Sequence, residues 1–311
     1  MSALLQMTGP VIDLLYEVAA LPRSGEEAVV TGFAMAPGGG FNAMVAARRA
    51  GMAAMCGGGV GTGPFSELVM AGFASEGIGL ARPRDPVRDN GCCTVLIEPS
   101  GERSFVAAPN AEGHMTAADL AAISVRDFGW TLVSGYSLHY DGMNAAISGW
   151  IDRTAALPPL VFDPSPLVAE LPADLLRPVL ARATWISANA SEARHLTGRT
   201  DLDEAVADLA RGRDGAILRD GARGCWLATG GRVTQIPPFE VRAIDTNGAG
   251  DTHIGSFLAR LDATGDALHA ARYANVAAAL STTVKGPSTA PPEAGVLALL
   301  AQGTDTWPRM P

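Results

Sequence analysis

Four short apolar runs, at 131–134, 160–163, 184–187 and 216–219, are separated by stretches long enough to hold a helix, and this alternation constrains the fold more than any single motif does. A parallel strand can be followed by another only through a crossover that runs over a sheet face, so strand and helix in turn imply a parallel sheet covered on both faces. The expected class is α/β: a doubly wound, mainly parallel sheet flanked by helices. Three of the runs pass into polar or turn residues at their C-terminal ends. Ligands bind beyond that edge in open α/β sheets, which makes Asp163, Asn189 and Gly221 site candidates by position alone. The early part departs from the alternation. Asn42 is expected to cap a helix over 43–50 that Gly51 stops, and 64–76 reads as a second helix ending at Gly77. Between 92 and 106 the pattern is a hairpin, 93–97 and 103–106 joined through 99–102, and a two-stranded ribbon inside an α/β chain suggests a lid. Thr116 and Asp119 have capping-box spacing, and an Ala-rich helix is expected over about 266–283. The 311 residues suffice for one large domain of this kind.

The run Asp245-Thr246-Asn247-Gly248-Ala249-Gly250-Asp251 carries the chemistry. Gly248, Ala249 and Gly250 are small enough for successive backbone N–H groups to turn inward. Ile254, Phe257, Leu258 and Leu261 then recur at helical spacing, so a helix begins near Gly250. A cradle of N–H groups at the positive end of a helix dipole favours a phosphate. Asp251 would repel that phosphate unless it serves at the reacting oxygen, as acceptor of a proton from an attacking hydroxyl. The plain competitor is a tight turn with a surface acid placed by the helix dipole.

Composition narrows the ligand. A formal charge of -9 argues against nucleic acid or an anionic membrane as partner and leaves a small molecule. No apolar run approaches the roughly 20 residues of a membrane span, and the first residues lack the basic and apolar regions of a secretory signal, so the cytoplasm is the expected location. Cys56, Cys92, Cys93 and Cys225 show no C-x-x-C spacing and are expected as reduced thiols. The five histidines lack H-x-x-x-H spacing, which speaks against a transition-metal site.

The segment from Asp245 to Phe257 closely resembles the second signature of the PfkB/ribokinase family of carbohydrate kinases, D-T-x-G-A-G-D followed by a helix. Gly38-Gly39-Gly40-Phe41-Asn42-Ala43 resembles the first signature, a Gly-Gly pair shortly before an Asn. Trp185-Ile186-Ser187-Ala188-Asn189-Ala190-Ser191-Glu192 is similar to the family's N-x-x-E motif at a strand end. The three occur in the family's order, and the resemblance runs from Gly9 to about Pro292.

That resemblance implies an ATP-dependent kinase acting on a hydroxymethyl group of a small sugar, with a ribokinase-like fold over 1–311. The small β lid would be inserted at about 13–33 and 91–108. Asp251 would be the general base, and Gly248, Ala249 and Gly250 would stabilise charge on the transferring group. Asp13, Gly39 and Asn42 would bind the sugar hydroxyls. Asn189 would serve the nucleotide site, and Glu192 would bind Mg²⁺ through water. Arg219, Gly221 and Gly224 match the loop against the nucleotide, and Asn275 falls on the helix beside the adenine. Many members bind K⁺ or a similar ion, with Asp245 as one ligand, and a homodimer through the lid follows from the open face and edge expected for 94–97.

Departures bear on the substrate. No Lys stands in the first signature, where Gly40-Phe41 occurs, which puts ribose in doubt. His253 lies two residues from Asp251 and so faces another side of the helix. The glycines of 57–63 lack the Lys of a phosphate loop and read as loop structure, and Arg103 reads as a solvated hairpin charge. A nucleoside kinase of the same fold is the nearest alternative, with Phe33, Phe41, Phe105 and Tyr136 as an aromatic wall. A sugar-binding protein without turnover comes next, although Asp251 and the cradle are intact.

Overall fold

The computed structural model describes residues 2–302. In chain order the strands are β1 (Ala3–Gln6), β2 (Pro10–Val18), β3 (Val30–Gly39), β4 (Ala53–Cys56), β5 (Gly79–Leu80), β6 (Cys92–Ile97), β7 (Arg103–Ala108), β8 (Trp130–Ser134), β9 (Leu160–Asp163), β10 (Ala183–Asn189), β11 (Gly215–Arg219), β12 (Cys225–Thr229) and β13 (Arg232–Ile236). The four apolar runs read from the sequence are β8 to β11.

Nine strands form the main sheet in the order β13-β12-β11-β10-β9-β8-β1-β4-β5. All pairs from β11 to β5 are parallel, and β12 and β13 are added antiparallel at one edge. Successive residues of a strand face opposite sides, and the core divides accordingly. Leu4, Leu132, Val161, Trp185 and Ile217 pack with helices Gly40–Arg49, Ala249–Thr264 and Ala267–Ser281. Their neighbours Leu5, Val133, Phe162, Ile186 and Leu218 pack with Asn144–Arg153, Ala190–Thr197 and Leu202–Ala210 on the other side. Burial on both faces explains why these strands are continuously apolar.

A second, four-stranded sheet runs β3-β2-β6-β7. The expected hairpin is β6 and β7, paired antiparallel. The remaining strands reach from Pro10 to Gly39, beyond the 13–33 expected. β6 is not an edge: β2 pairs with it on one side and β7 on the other, so the open edges are β3 and β7. The first helix also differs from expectation. It spans Gly40–Arg49, and Asn42 lies inside its first turn instead of capping it. Gly39 allows this early start because it precedes the helix with φ 61, a conformation closed to most side chains. The helix Pro64–Glu76 ends at Gly77 as expected, and Thr116 and Asp119 form their capping box. No helix among the described residues is long and apolar enough to cross a membrane.

Candidate active site

The parallel strands end at a cavity of about 1680 Å³ that is lined also by residues of the second sheet. The lining includes Asp163, Asn189 and Arg219 from the main sheet and Asp13, Cys93 and Phe105 from the second. The stretch from Thr246 to Asp251 contributes as well.

Gly248 precedes helix Ala249–Thr264 with φ 72, so the backbone turns sharply just before the first helical N–H groups. The first N–H groups of a helix have no partner within it; here that of Ala249 turns back to Thr246 O at 3.3 Å, and Gly248, Ala249 and Gly250 all line the cavity. Asp251, in the first turn, accepts a hydrogen bond at Oδ2 from Asn42 Nδ2 at 3.0 Å. Ser288 Oγ donates to Asn42 Oδ1 at 2.7 Å, which fixes the amide with its N–H toward the carboxylate. Desolvation pushes the Asp251 carboxyl up to about 6; the charge of Asp163 acts in the same direction, and the Asn42 bond and Arg219 oppose it. Asp13 is only 8% exposed and is pushed up to about 7, by burial first and then by the charge of Asp251, with Asn247 opposing. Two mutually repelling carboxyls thus face the cavity. They suit the hydroxyls of a neutral compound, which both donate and accept, and would oppose a further anion.

Asn189 and Glu192 form a reciprocal cap on the helix after β10. Glu192 N–H donates to Asn189 Oδ1 at 2.9 Å and Asn189 N–H to Glu192 Oε2 at 2.8 Å. Glu192 is buried, and desolvation together with Asp163 holds its carboxyl well above the usual range, against the pull of Arg219. Arg219 donates through Nη1 to Gly250 O at 2.9 Å and through Nη2 to Ser187 O at 3.4 Å. Nη2 also lies 3.5 Å from Asp163 and 3.7 Å from Glu192. Its guanidinium therefore braces the cradle, a role that its place at the end of β11 did not reveal. Gly221 and Gly224 lie in the turn between β11 and β12 and line the cavity. Asn275 also lines it, but its amide is used internally: Nδ2 donates to Pro237 O at 3.1 Å, and Oδ1 lies 3.2 Å from His253 Nε2. Burial lowers His253 to about 3, so its ring is neutral and supports Asn275.

Arg103 is not a solvated hairpin charge. Its Nη1 reaches Asp245 Oδ1 at 3.2 Å and its Nη2 donates to Thr246 Oγ1 at 2.6 Å, with the side chain only 22% exposed. β7 carries the guanidinium over the loop that leads into the cradle, a pairing between residues 142 apart that hairpin chemistry alone does not signal. Asp245 is thereby surrounded by donors, since Asn247 N–H also bonds Oδ1 at 2.9 Å and Gly286 N–H bonds Oδ2 at 3.0 Å. A second ion pair, Lys285 to Glu17 at 2.7 Å, joins the same loops to β2. The expected aromatic wall is reduced by half. Phe41 is buried against Phe73, and Phe33 packs on Tyr16 with the rings tilted and is not among the cavity's lining; Phe105 and Tyr136 remain in it. Sequence reading missed Cys93 as a lining residue, although its register opposite Asp13 in β2 puts both on one face.

Comparison with known proteins bears on the chain as a whole. A family model described as pfkB family carbohydrate kinase matches residues 7–294. The chain is similar to an uncharacterized sugar kinase, YegV, of Escherichia coli, with 28% identity over 81% of this chain and 79% of the relative. It is 30% identical to a fructokinase of Vibrio alginolyticus over 82% of this chain and 88% of that protein. Its fold is similar to the crystal structure of ribokinase from Thermotoga maritima, with a TM-score of 0.82 and 20% identity over 97% of this chain and 100% of the other.

Proposed function

The chain belongs to the pfkB family of carbohydrate kinases, and from that membership we propose that Asp251 is the general base of an ATP-dependent sugar kinase with a neutral acceptor. The class of reaction comes with the family: the γ-phosphoryl group of ATP passes to a sugar hydroxyl. The observation that carries the residue assignment is Asp251 beside the cradle, steered by Asn42 and with its carboxyl raised to about 6. A base of that strength is ionised at neutral pH and still takes a proton readily as the hydroxyl attacks. The N–H groups of Ala249 and Gly250, with Gly248 shaping the turn, meet charge on the transferring group. Asp13, Gly39 and Asn42 orient the acceptor.

Asp163, Asn189 and Glu192 are hard oxygen donors near the cradle and fit a hydrated Mg²⁺, which keeps several waters. Bound there, the ion supplies neutralisation of the nucleotide phosphates. The loop of Gly221 and Gly224 borders the nucleotide, with Arg219 and Asn275 positioning its surroundings. A monovalent cation at Asp245 lacks comparable support, because Arg103 already faces that carboxylate. Phe105 and Tyr136 leave room for a nucleoside as second reading, since they give the cavity an aromatic side. The test is ADP release from Mg-ATP across pentoses, hexoses, polyols, keto-sugar acids and nucleosides. Neutral sugars or polyols are expected to be turned over; turnover of keto-sugar acids alone would refute the neutral acceptor, and silence throughout would refute the kinase.

In this reading the described residues form one unit, and the second sheet acts as a lid that excludes water from the phosphoryl group. Val30, Phe33 and Met35 on β3 and Phe105 and Val106 on β7 are exposed, which favours a homodimer through the lid edges. Sedimentation equilibrium at micromolar concentration is expected to give twice the 32.0 kDa chain mass; a pure monomer would remove the dimer. The free cysteines suit a reducing compartment, and we place the enzyme in the cytoplasm.

A further inference from the structure

The segment after β9 reads Asp163-Pro164-Ser165-Pro166, and its third residue is unusual in two independent ways. Ser165 is the single non-glycine residue with positive φ among the described residues, at φ 62 and ψ 163. That region is unfavourable for any residue with a Cβ, and such conformations persist where the surroundings impose them, often where a ligand is held. Here two prolines with fixed φ flank the residue. Ser165 N–H also reaches Asp163 Oδ1 at 3.3 Å, and its carbonyl accepts from Val168 N–H at 3.1 Å. Second, Ser165 is 3% exposed, yet its Oγ has no hydrogen-bond partner among the described residues. Buried hydroxyls are normally paired, so an orphan calls for a partner from outside the chain. Of the buried side-chain atoms without a partner, those on residues lining the cavity are Ser165 Oγ and His253 Nδ1, and the His253 ring is already held by Asn275.

The surroundings indicate what that partner is. Asp163, which holds the Ser165 N–H, lies 3.5 Å from Arg219 Nη2, and Arg219 Nη1 holds the carbonyl of Gly250 in the cradle. Ser165 is thus linked through two side chains to the phosphate end of the cavity. No Lys is among the lining residues, and both Arg219 terminal nitrogens already donate to backbone carbonyls. A terminal phosphate presents three strong acceptor oxygens and needs donors beyond one turn of helix. We infer that the Ser165 hydroxyl donates a hydrogen bond to the terminal phosphate of bound ATP, and so distinguishes the triphosphate from ADP. The inference rests on the kinase reading above.

The test measures calorimetric affinities of Mg-ADP and of the magnesium complex of adenylyl imidodiphosphate, an ATP analogue that is not hydrolysed. The proteins are wild type, Ser165→Ala and Ser165→Gly. Alanine removes the hydroxyl and keeps the Cβ; glycine removes both and accepts positive φ without strain. Both variants are expected to bind the triphosphate about tenfold more weakly, as loss of a hydrogen bond to a charged group implies, with ADP affinity unchanged and kcat reduced. Equal weakening of both nucleotides, no weakening of either, or a rise confined to the acceptor KM overturns the inference. Failure of wild type to bind either nucleotide would instead overturn the kinase reading. Glycine keeps the test informative should the strained alanine variant fold poorly.

Discussion

Asp251→Asn is expected to lower kcat by about two to four orders of magnitude, the usual contribution of a positioned base, with nucleotide binding within a few-fold of wild type. The amide is isosteric and can still accept from Asn42, so the Asn42 and Ser288 arrangement persists. What disappears is an atom able to take the proton. The wild-type pH profile follows from the same carboxyl. Its value in the fold is raised from 3.8 to about 6, so in the proposed role it would be protonated and idle below that pH, and kcat is expected to rise as pH passes upward through about 6. Stability runs the other way. A carboxyl whose folded value exceeds its unfolded one stabilises fully below the unfolded value, and that contribution is lost as pH rises through the folded value. Asn has no such loss, so Asp251→Asn is expected to melt no lower than wild type at pH 8. A variant that keeps kcat within threefold, or a wild-type profile flat from pH 5 to 7, would remove Asp251 from the mechanism.

Gly248→Ala is expected to reduce kcat by about a hundredfold or more, the scale of losing an oxyanion donor, and to lower the melting temperature by several degrees. Gly248 stands at φ 72, where a side chain costs about 1–2 kcal/mol. Its added Cβ would also fall 2.1 Å from the carbonyl oxygen of Pro287. Backbone cannot yield there as a flexible side chain would, so either the 287 loop or the cradle moves. A shift of the order of 1 Å in the N–H groups spoils their aim at the phosphoryl oxygens. Gly221→Ala is the control. Gly221 also has positive φ, at 53, but a Cβ there meets nothing within 4 Å, and the change should cost activity only a few-fold. If both variants behave alike in ADP-release kinetics and thermal unfolding, the cradle geometry is not the determinant.

The parts of the molecule legible in the sequence are those written in local signals. Buried parallel strands must be apolar on both faces, so β8 to β11 stood out, and the cap of Asn189 with Glu192 is a four-residue pattern. The cradle was readable because Gly248 and Gly250 precede a clear helical spacing. The starts and ends of β2 and β3 were not, since Gly32, Pro37, Gly38 and Gly39 imitate a loop within β3. Asn42 looked like a cap because the positive φ of Gly39, which starts the helix earlier, cannot be seen in the letters. Arg103 was misread for another reason: its partner Asp245 is distant in sequence, and an arginine in a hairpin turn is ordinarily solvated. Arg219 was found as a site residue but not in its working role, which depends on β10, β11 and the cradle meeting in space. Ser165 gave no signal at all, because strain and an unmatched hydroxyl exist only in three dimensions.

The hydrogen bond between Asn42 and Asp251 joins residues 209 apart in the chain. A polypeptide growing on the ribosome exposes the amide early and receives the carboxylate only when most of its length has been made. The glycine turn arrives with that late segment, and so does Ser288, which orients the amide. The amide and its two partners therefore come together only once the late segment has docked on the early one.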